Sequence, residues 1–578
     1  MILNFFLLLK KIFYYIEPFK KRFFFLSFLI FLGSMMETIS IGIFIPLIEI
    51  FSNSVKINKI SNFAKDFGFT FENSYQLFLF VLILIFLIFI FKFIFFIFLN
   101  FYKNKLIRNL SRYLSNLVYN SFVSMPFATL TKKNSAELIN LTNNASGFSN
   151  LVSILISFFT DLSIGLFIIF FLFSIEFYGT LIIFFITMIS IIIFWKKTKN
   201  KIAKLGTERI RFHQRRIQSL QESYTSLMDI KLTNSSSFFF RDFDKKNFDL
   251  LDNERKEQNI QILPKLTFEL ITILFFVILM FYFNLTGQEK DIFVKLGIFV
   301  VAGAKILPMA SRLVNYLQII KVKVPVIYQI DQELTKNKKS TETYKNNLNI
   351  IKEFNSITFD NIGFYYNTKA ENKIIFKNLS FSINKGDKLG IVGNSGSGKT
   401  TFLNLFTGLI HPTSGIIEID KIKFDNLKYF KLDGIVGYVN QSPILIDSSI
   451  KLNVTLQNFD NIDIKKYKEV LKIVELENLE KDLEKNLNFT IGERGLLLSG
   501  GQKQKIGIAR MLYLNPSILI LDESTNALDL ETEKRIIQNI INKYSNLTII
   551  IVTHRKEILV HVNEIFELKN FKLSRLNK

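Results

Sequence analysis

Residues 393 to 401 read Gly393-Asn394-Ser395-Gly396-Ser397-Gly398-Lys399-Thr400-Thr401. Such a run suits the binding of a phosphate chain. Backbone N–H groups of a glycine-rich loop and of the helix that follows face the anion, and the lysine adds a point charge. The Thr400 hydroxyl is a hard oxygen of the kind that ligates Mg²⁺. Further on, an apolar run at 517–521 ends in Asp522 and Glu523, and another at 547–553 ends in His554. An acid at a strand end beside phosphates can hold Mg²⁺ or its water, and a second acid can polarise the attacking water. Asp522 is therefore assigned to the metal and Glu523 to the general base. His554 is either a structural histidine or a contact to the γ-phosphate, and its place at a strand end opposite the loop favours the contact.

These side chains need elements to aim them. Lys388 to Gly393 predicts a buried strand entering the loop and Thr400 onward predicts a helix start, the strand–loop–helix context that a phosphate loop requires. The runs ending at Asp522 and His554 predict two more buried strands, so residues 351–578 are expected to form an α/β P-loop nucleotide-binding domain. The loop by itself fits any P-loop hydrolase or kinase.

The first half has a different character. The chain of 578 residues is 49% hydrophobic with a mean hydropathy of +0.27, too apolar for one soluble globule. The formal charge of +23 is read as basic residues holding the cytoplasmic side of a membrane protein, with no nucleic-acid partner. The absence of cysteine excludes disulfides, Cys-ligated zinc and a thiol nucleophile. A helix needs about 20 apolar residues to cross the hydrocarbon core. Six runs meet that length, at 23–51, 76–102, 151–175, 177–195, 262–284 and 292–317. The third and fourth are joined by a tight turn around Glu176 to Gly179 and must form a hairpin.

Lys and Arg concentrate in segments 103–150 and 196–261, whereas the turn at Glu176 has none and the loop Asn284 to Asp291 has only Lys290. Both termini and the two long connections are therefore expected in the cytoplasm, with the chain multi-pass in the inner, cytoplasmic membrane. Trp195, just before Lys196, sits where an interfacial anchor belongs. Residues Asn4 to Ile16 read as a helix lying in the interface rather than a cleavable signal peptide. The long connections have helical spacing at 106–130 and 209–232, so the membrane helices are expected to continue into the cytosol. Their tips, near Met125 to Asn134 and Asp229 to Phe239, are read as docking on the nucleotide-binding domain in preference to solvated loops. The polar stretch after Asp331 is read as a linker, giving 1–330 as the transmembrane domain, 331–350 as the linker and 351–578 as the nucleotide-binding domain.

The pentapeptide Leu498-Ser499-Gly500-Gly501-Gln502 resembles the signature of the ATP-binding cassette family, and six spans followed by one cassette is the layout of an exporter-type half transporter. The resemblance implies ATP and Mg²⁺ as ligands. It also implies a signature that acts in trans on ATP held by a second copy, hence a homodimer. By position it makes Tyr366 the aromatic that stacks on adenine, although Tyr366 could equally pack in the sheet. It makes Gln441 a residue touching Mg²⁺ or water, and Glu493 and Arg494 part of a loop that senses the cytoplasmic tips. It makes Asn526 to Asp529 a loop that crosses to the other subunit.

The cargo must be read from the membrane half. Lys92, Lys305 and Arg312 lie within or near apolar spans, and Glu37 lies in the first. Placing a basic residue at mid-bilayer costs roughly 2.5–3.5 kcal/mol on insertion scales, so such groups face a wet cavity or a partner. Lys305 and Arg312, seven residues apart, share a helix face. Either they line an inward-facing cavity that attracts an anionic headgroup, or they snorkel while Lys265 pairs with Glu269. Glu37 is either a cavity acid or a helix–helix hydrogen-bonding group. The cues at Ile43 to Pro46 and Lys305 to Pro308 are similar to homodimeric flippases of lipid-linked oligosaccharides, which implies a polyprenyl-pyrophosphate glycan as cargo. Another lipid, drug or peptide is the alternative, and an ATP-gated channel the third reading.

Overall fold

A computed structural model of the chain describes residues 2–43, 74–131, 133–286, 292–367, 372–425, 428–457, 461–484 and 490–576. The chain divides into two compact units, residues 1–125 with 132–338, and residues 126–131 with 339–578.

The first unit is helical. Among the described residues, six helices are long and apolar enough to cross a membrane. Five of them, Ser74–Val123, Ser135–Ile175, Phe177–Thr225, Ser236–Thr286 and Ile292–Asn346, run 41 to 55 residues. At about 1.5 Å per residue each is roughly twice as long as a hydrocarbon core of about 30 Å, so the helices project well beyond any bilayer. The other is Lys20–Gly42. Residues 44–51 of the first expected span, Pro46 included, and the loop at 287–291 lie outside the described residues.

The expected turn at Glu176 to Gly179 is tighter than the sequence suggests. Glu176 alone, in an extended conformation (φ −150°), separates the two helices. Gly179 is already helical and buried; a Cβ there would lie 2.9 Å from the Phe299 ring, so its role is to admit an aromatic and not to turn the chain. Gly206 permits an even closer approach. A Cβ there would come within 2.5 Å of the Val322 carbonyl oxygen, which brings helices Phe177–Thr225 and Ile292–Asn346 together backbone to backbone. Short helices Phe127–Leu130 and Leu227–Leu232 occupy the two excursions expected in the cytoplasm. The polar stretch read as a linker is helical as far as Asn346. The amino-terminal segment is a helix, Ile2–Ile16, which buries Ile12, Tyr15 and Ile16 and exposes Phe13 and Tyr14. Lys11 and Tyr15 both reach Asp331, at 2.5 and 3.0 Å.

The second unit has a six-stranded sheet. Its order runs Val436–Val439, Ile518–Asp522, Thr548–Val552, Lys388–Val392, Glu564–Lys569, Lys572–Leu576, parallel except for the last pair. The central strands are buried on both faces, as their unbroken apolar runs require. A four-stranded antiparallel sheet (Asn372–Asn384, Ser356–Asn367, Ser414–Ile419, Ile422–Phe424) packs through Phe359 and Phe381 on Phe402 and Phe406 of helix Lys399–Phe406. Helices Ile464–Ile473, Gly500–Tyr513 and Leu530–Lys543 build the other core. In such parallel sheets, ligands sit beyond the carboxyl ends of the strands. The phosphate loop, Asp522-Glu523 and His554 all follow such ends.

Candidate nucleotide site

Strand Lys388–Val392 delivers the loop and helix Lys399–Phe406 leaves it. Gly398 stands at the helix N-cap with φ +102°, a region open mainly to glycine. A Cβ there would also lie 2.8 Å from Ile375 and 3.0 Å from Phe376. Gly396 (φ +79°) makes the preceding turn. Asn394, Ser395 and Thr400 are exposed along the loop, while Lys399 and Thr401 are buried. The Ser397 hydroxyl is buried with no protein partner, an orphaned polar atom inside the cradle that suits a phosphate oxygen.

The buried Lys399 ammonium donates to the Gly393 carbonyl at 2.8 Å and lies 2.8 Å from His554 Nε2 and 3.3 Å from Glu523 Oε1. His554 Nε2 is 3.1 Å from the same carboxylate oxygen. The other oxygen, Oε2, accepts from Gln441 Nε2 and from Asn526 Nδ2, each at 3.4 Å. Four stretches of chain thus converge on one carboxylate. Glu523 itself has φ +49°, a conformation that side chains rarely adopt and that turns the chain sharply after the strand.

Asp522 accepts the Tyr438 hydroxyl at 2.7 Å. Burial raises the Asp522 carboxyl above its usual range, the Tyr438 hydrogen bond opposes this, and the Glu523 charge adds to it. Tyr438 is itself pushed far above ordinary phenols by burial and by Asp522. Thr400, Asp522 and Gln441 supply hydroxyl, carboxylate and amide oxygens, a hard donor set that fits Mg²⁺. Among the described residues no cluster of three or more His, Asp or Glu forms a metal cage. Tyr366 is half-exposed near the end of strand Ser356–Asn367, its hydroxyl 3.4 Å from Thr401 Oγ1 and its ring edge-on to Phe364.

The signature forms a helix start. Ser499 caps Gly500–Tyr513, accepting from the Gln502 N–H at 3.2 Å, while Gln502 Oε1 accepts from the Ser499 N–H at 2.8 Å. Leu498 is buried; Ser499 and Gly500 are exposed, so this N-terminus is open to a phosphate. Gly500 and Gly501 fit against Ala527 and Leu528, where a Cβ would fall 3.2 and 3.0 Å away. An open cleft of about 910 Å³ beside them is lined by Gln441, Pro443, Arg494, Lys503, Gln504 and Asn526. Glu493 lies in the same short turn as Arg494. Asp529, at the end of the loop expected to cross between subunits, caps helix Leu530–Lys543 through the Thr532 N–H at 2.8 Å, a bond that lowers its carboxyl.

In the membrane unit Lys92, Lys305 and Arg312 have acidic partners, whereas among the described residues the Lys265–Glu269 pair does not form. Glu37 takes Lys92 at 2.5 Å and Lys305 at 2.9 Å, and Lys92 also donates to Ser40 at 3.0 Å. The Lys92 and Glu37 side chains are 12% and 10% exposed, whereas that of Lys305 is 49% exposed. Arg312 pairs with Asp161 at 2.6 Å. It also lines a cavity of about 520 Å³ with Lys265, Glu269, Ser311 and Asn315.

Sequence reasoning passed over Asp161, although the rule that singles out Glu37 covers any acid within an apolar span. It also missed Tyr438, Gln504, Arg555 and Glu533. These have no motif signal, since each is recognised only by what it touches in the fold.

A phosphate loop on an α/β sheet, with an acid and a histidine at neighbouring strand ends, defines a P-loop nucleotide-binding domain. Residues 376–526 match the family described as ABC transporter, so the chain carries an ABC transporter domain behind a bundle of six membrane-length helices. It is 36% identical over 216 residues to the probable multidrug resistance ABC transporter ATP-binding/permease protein YheI of Bacillus subtilis, covering 37% of this chain and 36% of that protein. It is 37% identical over 227 residues to the alpha-hemolysin translocation ATP-binding protein HlyB of Escherichia coli O157:H7, covering 39% and 32%. The matches span about a third of these relatives' lengths. A bacterial Atm1-family ABC exporter solved with ATP bound matches over 96% of this chain and 95% of its own, with a TM-score of 0.78 at 20% identity. The whole chain therefore has the fold of an ABC exporter.

Proposed function

We propose that this chain is one half of a homodimeric, ATP-driven exporter of the cytoplasmic membrane. The observation that carries the reading is the mutual contact of Lys399, Glu523 and His554 at the mouth of the phosphate loop, in a chain that also holds six membrane-length helices. Lys399 and the loop N–H groups hold the β- and γ-phosphates, and Tyr366 stacks on adenine. Thr400, Asp522 and Gln441 hold Mg²⁺, which neutralises phosphate charge when bound. Glu523 takes the proton of the attacking water, and His554 donates to the γ-phosphate. The exposed N-terminus at Ser499 and Gly500 closes over ATP bound by the second copy, so neither site is complete alone. The short helices Phe127–Leu130 and Leu227–Leu232 carry cassette closure to the bundle, and hydrolysis resets it.

The cargo is an anionic amphipath, flipped or exported from the inner leaflet. Two lysines share the single acid Glu37, which leaves one positive charge in excess on an apolar bundle, and Lys305 is the half-exposed member. A polyprenyl-pyrophosphate glycan is the specific candidate. The likeness to YheI and HlyB favours a second reading, a drug or protein cargo. Purified dimer in phosphatidylcholine vesicles, given polyprenyl-pyrophosphate glycan, an anionic phospholipid or a cationic drug, separates these. Stimulated ATPase and leaflet crossing by the anionic lipids, lost in Lys305→Gln/Arg312→Gln, is expected. Stimulation by the cationic drug alone, or an unaffected double variant, would sink the anionic reading.

A further inference from the structure

Between Glu523 and helix Leu530–Lys543 the chain makes a short loop whose backbone is gripped from two sides by side chains that carry no role above. On one side stands Gln504, 4% exposed on the signature helix. Its Oε1 accepts the Ala527 N–H at 2.9 Å, and its Nε2 donates to the Gln441 carbonyl at 3.2 Å. On the other side stands Arg555, next in sequence to His554. Its guanidinium donates to the Asn526 and Leu528 carbonyls, both at 3.0 Å, and to Glu533 at 2.6 Å. Glu533 is fully buried, and its second oxygen accepts the Thr525 hydroxyl at 2.5 Å.

Three backbone groups in a row, Asn526 C=O, Ala527 N–H and Leu528 C=O, are thus fixed by side chains. One of these neighbours His554, and the other holds the backbone of Gln441. Both of those residues touch the Glu523 carboxylate, as do Asn526 itself and Lys399. We infer that Gln504 and Arg555 are positioning residues for hydrolysis: through this loop they fix where the Glu523 carboxylate stands relative to His554 and Gln441. Neither touches the phosphate loop. They set the rate of the chemical step and leave nucleotide binding alone. A general base displaced by about an ångström loses roughly a hundredfold in rate, so even partial slackening is measurable.

The inference rests on the ATPase reading and is tested on the full-length dimer in detergent and in vesicles. Gln504→Met keeps the side-chain length and removes both hydrogen bonds; Gln504→Glu keeps the acceptor for Ala527 and removes the donor to Gln441. Arg555→Lys keeps the charge beside Glu533 and loses the fork that spans two carbonyls. The expected kcat order is wild type, then Gln504→Glu, then Gln504→Met, with the last about tenfold or more down, while KM for ATP and fluorescent-nucleotide affinity stay within about twofold. Arg555→Lys lowers kcat in the same manner, and because both residues act on one loop, the double variant falls less than the product of the singles. Unchanged kcat, kcat falling in step with nucleotide affinity and melting midpoint, or multiplicative singles would each overturn it. A well-folded wild-type dimer that binds ATP without hydrolysing it would instead overturn the ATPase reading.

Discussion

Both units contain a lysine–glutamate contact that is mostly buried, yet the two contacts differ in what surrounds them. Glu523 touches Lys399, His554, Gln441 and Asn526, polar groups from separate stretches of the cassette gathered at the open ends of parallel strands. Under the proposed function these partners would also meet phosphate or water, so the contact has alternatives. Glu37 touches Lys92 and Lys305 on an apolar bundle, and among the described residues Ser40 adds a further polar contact to Lys92. There the contact is what makes the charges tolerable. Removing one partner of a buried pair strands the other, whereas in a wet site the same removal mainly subtracts chemistry. An ion pair by itself therefore says little, and its neighbours decide whether it is a machine part or a structural necessity.

The contrast breaks most directly at the two acids. Glu523→Gln keeps the shape of the site, loses one of the two acceptor oxygens that Lys399, His554, Gln441 and Asn526 now face, and removes the base. It should lower ATP turnover by about 10²–10⁴-fold, with ATP still bound and the melting midpoint little changed. Normal hydrolysis in this variant would refute the base assignment. Glu37→Ala should do the opposite, costing about 3–5 kcal/mol of fold stability because Lys92, mostly buried, loses the acid it pairs with. Thermal unfolding in detergent measures this, with nucleotide affinity as the internal control. A Glu37→Ala protein as stable as wild type would show that water reaches Lys92 freely and that the bundle charges resemble the cassette's after all.

Sequence legibility follows the same divide. The phosphate loop, Asp522, Glu523 and His554 announce themselves because phosphate chemistry constrains residue type, spacing and the strand ends that present them. The helices announce themselves because about 20 apolar residues are a physical requirement of the bilayer. What stayed hidden depends on approach between distant segments. Gly179 reads as a turn residue until the Phe299 ring is seen against it, and Gly206 carries no signal until Val322 arrives. The polar stretch after Asp331 reads as a linker because its composition is that of an exposed segment, yet it is helical as far as Asn346 and buries Leu334 and Asn337. Arg312 reads as a cavity or snorkelling charge and does line a cavity, but its pairing with Asp161 spans helices that sequence spacing cannot register.

A third titratable group sharpens the comparison with the smallest effect. His411 lies in the cassette unit but away from the phosphate loop, stacked on Tyr429 at 4.3 Å, which in turn stacks on Tyr344 at 5.2 Å. Burial pushes its imidazole down to about 4, from an ordinary value near 6.5. The unfolded chain therefore takes up a proton here as pH falls below about 6.5, and the folded chain does so only near 4. In that window the unfolded state binds more protons, so stability falls with falling pH and the loss levels off below the folded value. His411→Phe keeps an aromatic in the stack and removes the proton, so its melting midpoint should approach and then overtake that of wild type between pH 6.5 and 4, by a few degrees at most. Parallel midpoint profiles for the two proteins would mean that the imidazole is already accessible to protons in the fold. His411 would then behave like a solvated surface group, and low exposure inside the cassette would no longer be enough to separate scaffold from site.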